Sequence, residues 1–217
     1  MTVTLYGFWR SLAAFRVRAA LEYKNIPYTE KIINLFQGDQ FSESYHALNP
    51  QHVIPLLNHD GKHISQSMAI LEYLDAVWSQ SSILPKDPYE QSYIRSISLI
   101  SSADTHPLLI PRVRKYLNET YQADEATQTQ WARHWLNIGT QAIEDRLMNE
   151  KLHGKFTLGD DISLADFVLT SHVVGARLFE ADLSMAPTLV SIANHCLDLD
   201  CFKKSHPLQQ PGSPGFK

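Results

Sequence analysis

The chain has 217 residues, 44% hydrophobic and 19% charged, with 9 Gly and 11 Pro, a balance that excludes collagenous, low-complexity and disordered chains and fits one or two domains. With 19 Lys and Arg against 23 Asp and Glu the net charge is −4, so the composition gives no electrostatic basis for binding nucleic acid or an anionic membrane. No apolar run reaches the roughly 18 residues of a membrane span, and the opening MTVTLYGFWR has neither the basic nor the apolar region of a secretory signal; a cytoplasmic location is expected.

Residues 3–6 (VTLY) suit a first strand. In residues 11–24, Ala14, Val17 and Leu21 share one helical face and Ser11 stands ready as N-cap. Pro27 forces Ile26 out of the helical region, so this helix ends by Asn25. A second strand at 28–33 completes a βαβ unit, whose strands run parallel. A short helix at 40–48 is closed by Asn49-Pro50, and Asp60-Gly61 between two apolar runs signals a hairpin. Ser67 is placed to cap another helix, on which Ile70, Leu74 and Val77 recur at helical spacing to about Trp78. Residues 1–78 therefore read β-α-β-α-β-β-α, and the polar, proline-bearing stretch 79–88 reads as a linker.

From Tyr89 the pattern is all-helical. Pro111 should kink or end a helix. Trp131, Trp135, Ile138 and Ala142 suggest a buried stripe, and Ser163 with Asp166 has the spacing of a capping box. Residues from Ser205 on hold three prolines and two glycines and read as an extended tail, giving a second domain over 89–217.

Metal chemistry finds no foothold. Cys196 and Cys201 are not in CxxC spacing and read as reduced packing thiols, and His195 points about 100° away from its neighbour Cys196 on a helix. His59 and His63 flank a turn, not a helical face. No metal site is expected.

Several segments, in order, carry a resemblance: LYGFWRSLAAFRVRAAL at 5–21, Leu48-Asn49-Pro50, Val53-Ile54-Pro55, QSMAILEYL at 66–74, Ser163-Leu164-Ala165-Asp166, and HPLQQP at 206–211. Together they resemble the zeta class of cytosolic glutathione transferases, which includes maleylacetoacetate and maleylpyruvate isomerases. The resemblance implies an α/β thioredoxin-like N-terminal domain with a mixed four-stranded sheet, followed by an all-α domain. It also implies glutathione as catalytic cofactor, a small carboxylate-bearing substrate, a homodimer, and a place in tyrosine and phenylalanine catabolism.

It implies site residues too. Ser11 would stabilise the glutathione thiolate by its hydroxyl, aided by the helix N-terminus and the backbone amides of Leu12 and Ala13. Gln66 and Ser67 would hold the γ-glutamyl carboxylate at a helix start. A cis bond before Pro55 would turn the Ile54 backbone, next to Val53, toward the cysteinyl amide. Gln40 and His106 match positions near glutathione. Arg10 would anchor a substrate carboxylate with its planar fork, and Arg177 is a second substrate candidate. Arg16 and Arg18, further along the helix, read as structural ion-pair residues.

The chain departs from the family pattern at Leu12-Ala13, where a second serine and a cysteine are frequent, at Leu109-Ile110 in place of two asparagines, and at Leu178 in place of an arginine. Two other readings stay open beside the isomerase: a general glutathione transferase for small electrophiles, and a non-catalytic glutathione-binding protein.

Overall fold

The computed structural model describes residues 2–216, in two compact units. One comprises the chain up to Ile83 together with the stretch from Asp198 on; the other is Leu84–Leu197.

In the first unit, β1 (Val3–Gly7) leads through a short loop into α1 (Leu12–Tyr23), and β2 (Thr29–Ile32) returns parallel to β1. Helix α1 stops where expected: Asn25 adopts φ 52°, a left-handed conformation that asparagine tolerates, two residues before Pro27. The helix expected over 40–48 is split into a 3-10 turn at Asp39–Phe41 and a single turn, α2 (Glu43–His46), because the Ser42 hydroxyl accepts from Tyr45 N and caps the second piece. Strands β3 (Leu56–His59) and β4 (Lys62–Ser65) form the hairpin. Asp60 and Gly61 both carry positive φ, 49° and 85°, as a two-residue turn matched to strand twist requires. The sheet order is β2-β1-β3-β4, with only the β1–β2 pair parallel. Helix α3 (Ser67–Val77) follows, burying Ile70, Leu71 and Leu74 while Val77 is exposed. Its cap position falls on Gln66; Ser67 is already the first helical residue.

Part of the expected linker belongs to this unit. Asp75 accepts from Ile83 N at 2.7 Å and Ser82 Oγ at 2.9 Å, and Lys24 Nζ bridges Asp75, the Trp78 carbonyl and the Ser81 carbonyl. These bonds hold residues 78–83 against α1 and α3.

The regular elements of the second unit are helices, apart from an isolated bridge between His153 and Gly159: α4 (Pro88–Leu99), a π-helical turn (Ile100–Thr105), a 3-10 turn (His106–Leu108), α5 (Pro111–Tyr121), α6 (Glu125–Glu150), α7 (Leu164–Leu178) and α8 (Pro187–Leu197). Pro111 starts a helix instead of ending one. It occupies the first helical position, where its missing N–H costs nothing and its fixed φ is already helical. The buried face of α6 is Ala132, Leu136, Gly139, Thr140, Ile143 and Leu147; Trp131 and Trp135 are half-buried beside it and Ile138 is 49% exposed. The expected stripe lies one residue off the real one, because the contact face is built partly from Gly, Thr and Ala. Helix α7 is buried from Leu164 to Ala176. At its start the buried Asp166 carboxylate accepts from Ser163 N and Oγ and from Thr157 N and Oγ1, at 2.7–2.8 Å. This is the capping box read from the sequence, extended by a second loop.

The final segment is neither extended nor helical-unit territory. Helix α9 (Asp200–Ser205) packs on α1, with the Phe202 and His206 rings 6.1 and 5.9 Å from Phe15 and the Ser205 carbonyl accepting from Arg18 Nε at 3.3 Å. Beyond it a 3-10 turn (Pro207–Gln209) and bonds from Gln210 Nε2 to the Lys204 carbonyl and from Ser213 Oγ to the Leu208 carbonyl fold the chain back on itself. Side-chain amides and hydroxyls thus override the proline content. Cys196 and Cys201 are free thiols.

Candidate active site

Sheet register brings three loops to one edge of the first unit. Tyr6 of β1 pairs with Leu56 of β3, which pairs with Ser65 of β4. The chain therefore leaves β1 toward Phe8–Ser11, enters β3 from Ile54–Pro55, and leaves β4 into Gln66–Ser67, all at the same end. Buried Phe8, Trp9, Tyr45, Ile54 and Leu56 pack as one cluster beneath these loops.

Ser11 is the N-cap of α1. Its Oγ accepts from Ala14 N at 3.1 Å, and it is half-buried, followed by buried Leu12 and Ala13. The cap uses an oxygen lone pair, so the hydroxyl proton remains to be donated. Arg10, next to it, is exposed, and its guanidinium carbon lies 5.8 Å from the centre of the Phe36 ring.

The Ile54–Pro55 bond is cis, as the resemblance implies. Just before it, the Val53 carbonyl accepts from Tyr45 Oη at 2.7 Å and Asn49 Nδ2 at 2.8 Å, which fixes the approach to β3. Burial pushes the Tyr45 hydroxyl up to about 12, so it serves as a donor. Gln40 is buried, and its Oε1 has no partner among the described residues. Its carbonyl accepts from His52 Nδ1 at 2.7 Å, which ties it to the Val53 segment. His52 in turn shares a 3.1 Å hydrogen bond between ring nitrogens with His46.

Gln66 carries φ 71° and ψ 117°, an uncommon conformation for a non-glycine residue, and its Nε2 donates to Gln51 Oε1 at 3.0 Å. Ser67 is buried, and its Oγ accepts from Arg16 Nη1 at 3.3 Å. Arg16 is buried too, and burial alone lowers its pKa to about 10. Arg18 fulfils the ion-pair reading, with Nη1 on Glu30 Oε1 at 2.9 Å and Nη2 on the Trp9 carbonyl. Arg16 was read as an ion-pair residue as well; its Nη1 donates to Ser67 Oγ. Nothing in local spacing distinguishes the two arginines; the one available signal was a charge set among wholly buried neighbours.

Arg10, Ser11, Leu12, Ala13, Gln40, Val53, Ile54, Pro55, Gln66 and Ser67 all lie in this unit. His106 opens the 3-10 turn of the second unit, half-buried. Arg177, near the end of α7, is exposed and donates from Nη2 to Asn194 Oδ1 of α8 at 2.7 Å. Sequence reasoning missed His46, His52 and Phe36, whose roles depend on loop contacts with no spacing signature.

Residues 1–76 match the family model for the N-terminal domain of glutathione S-transferases. The maleylacetoacetate isomerase of Rattus norvegicus is 38% identical over 212 residues, 97% of this chain and 94% of the relative. The chain belongs to the zeta-class glutathione transferase family. A holo maleylpyruvate isomerase described as a bacterial zeta-class glutathione transferase has a TM-score of 0.94 at 34% identity, over 97% of this chain and 99% of its own. A Methylobacterium extorquens maleylacetoacetate isomerase with bound malonate and glutathione has the same TM-score at 40% identity and the same coverage. The residues present fit glutathione: a buried amide oxygen is left without a protein partner at Gln40, and hydroxyls stand at the starts of two helices at one sheet edge.

Proposed function

We propose that this chain is a glutathione-dependent cis–trans isomerase of maleylacetoacetate or maleylpyruvate type, acting as a cytoplasmic homodimer in aromatic amino-acid breakdown. One observation carries the reading: Arg10 and Ser11 occupy adjacent positions at the start of α1, on the same sheet edge as Ile54 and Gln66-Ser67. Bound glutathione would supply a thiolate nucleophile for reversible addition to a conjugated cis double bond.

The protein's part is electrostatic and positional. Ser11 donates its hydroxyl proton toward the thiolate while keeping its cap bond, and the first-turn amides of α1 add the positive end of the helix. Ser67 and the first-turn amides of α3 hold the γ-glutamyl carboxylate. Ile54 presents backbone to the cysteinyl amide, and Gln40 meets another part of the tripeptide; His106 is the second unit's candidate for glutathione. Arg10 engages the Phe36 ring through its charge, which leaves its N–H fork for a substrate carboxylate and for the negative charge that develops beside it. Arg177, held by Asn194, is the weaker substrate candidate.

The test is turnover of maleylacetoacetate and maleylpyruvate with and without glutathione. Activity should require glutathione. Arg10→Ala should cost the dicarboxylates about 30- to 150-fold more in kcat/KM than a neutral electrophile. Equal losses would remove Arg10 from substrate recognition. A second reading, a general transferase for small electrophiles, is favoured by the uncharged, exposed Leu178 beside a committed Arg177; it predicts conjugation without isomerisation.

A further inference from the structure

Arg16 lies in the middle of α1, 2% exposed, where α1 packs on α3. A guanidinium has five N–H donors and no acceptor. Its bond to Ser67 therefore runs one way: Arg16 Nη1 donates and Ser67 Oγ accepts, at 3.3 Å. A serine hydroxyl has a single proton, and that proton cannot point at a donor. It must be directed away from Arg16.

We infer that Arg16 is a positioning residue for a carboxylate bound at Ser67: from inside the unit it occupies a lone pair of Ser67 Oγ, aims the hydroxyl proton outward, and sets a buried positive charge one hydrogen bond behind the anion. This rests on the glutathione reading above and deepens it, with the γ-glutamyl α-carboxylate as the group recognised. Burying an arginine is costly. Burial lowers the Arg16 pKa to about 10, and the group remains a cation at neutral pH. An anion at Ser67 would face that cation across one hydrogen bond, through a low-dielectric path that solvent screens little. Without Arg16 the hydroxyl can turn inward toward the nearest acceptor, and part of its donor strength toward the ligand is lost. Arg18, two residues on, is turned to other partners: Nη1 donates to Glu30, and Nε and Nη2 donate to the Ser205 and Trp9 carbonyls.

The experiment compares two ligands by calorimetry: glutathione, and γ-aminobutyryl-cysteinyl-glycine, which lacks only the γ-glutamyl α-carboxylate. Arg16→Met should weaken glutathione roughly ten- to hundredfold, the scale of a hydrogen bond to a charged group, while the analogue keeps its parent affinity. Ser67→Ala should show the same selectivity, and the double variant should fall short of the sum of the two losses, because part of the effect of Arg16 runs through the serine. A buried charge replaced by an apolar side chain of similar length often leaves stability intact. If Arg16→Met nevertheless fails to fold, Arg16→Gln, which removes the charge and offers Ser67 an acceptor as well as a donor, must show the ligand-selective loss. Equal weakening of both ligands, or no weakening of glutathione, would overturn the inference while the parent's binding stands. Failure of the parent chain to bind glutathione would instead overturn the glutathione reading, and this inference with it.

Discussion

The proposed role of Ser11 gives one hydroxyl two uses that separate by atom. A lone pair caps α1 at Ala14 N, which leaves the proton to be donated, in that proposal, to a thiolate. Aspartate is as good an N-cap as serine but brings a negative charge. Ser11→Asp should therefore keep stability within about 0.5 kcal/mol in urea unfolding, yet raise the thiol pKa of bound glutathione through like-charge repulsion. The thiolate's ultraviolet absorbance during titration reads that shift directly. An unshifted titration would leave activation to the helix amides alone. At this scale the sequence was legible where a side chain touches its near neighbours: Ser11 capping Ala14, Ser163 with Asp166, Asp60-Gly61 in the turn. It was illegible where the partner is far along the chain. Arg16 meets Ser67 51 residues away, and Gln40 meets His52 through a carbonyl; neither pairing leaves a spacing to read.

Elements were legible by period and misread by face. Strand and helix order in the first unit followed from alternation, prolines and the Asp-Gly turn, and the βαβ start gave the parallel pair. In α6 the period was right and the buried face was not, because close packing there depends on Gly139, which hydropathy does not weigh. A Cβ built at Gly139 would collide with Thr105 Oγ1, in the π-helical turn that carries the chain toward His106. Two effects oppose each other in Gly139→Ala. Helix propensity favours alanine by about 1 kcal/mol, and overpacking against a buried threonine costs about 1–3 kcal/mol. Thr105 is itself held, Oγ1 on the Ile100 carbonyl at 2.8 Å, so it yields poorly and overpacking should win. We expect a net loss of about 1–2 kcal/mol in urea unfolding. Thr105→Ala added to Gly139→Ala should recover part of it; a stabilised Gly139→Ala would show that the turn gives way.

At the scale of the whole molecule the chain is not two consecutive segments. The stretch from Asp198 on is needed to finish the unit that the first 83 residues begin. Sequence order assigned it to the helical half, since nothing local marks a return. The reason for the return is physical: α9 supplies the Phe202 ring against Phe15 of α1 and the Ser205 carbonyl for Arg18. Arg18 also grips the Trp9 carbonyl, so the C-terminal segment and the loop bearing Arg10 and Ser11 share one buried guanidinium. Phe202 is fully buried, and its removal leaves a cavity that α1 and α9 fill only in part. Phe202→Ala should cost about 3–5 kcal/mol, as measured by urea unfolding, and Phe15→Ala a similar amount. The double variant should fall short of the sum, because the two rings share one contact. A loss under about 0.5 kcal/mol for Phe202→Ala is the signature of a surface substitution, and it would mean that the tail is an appendage and that the first unit completes its own core.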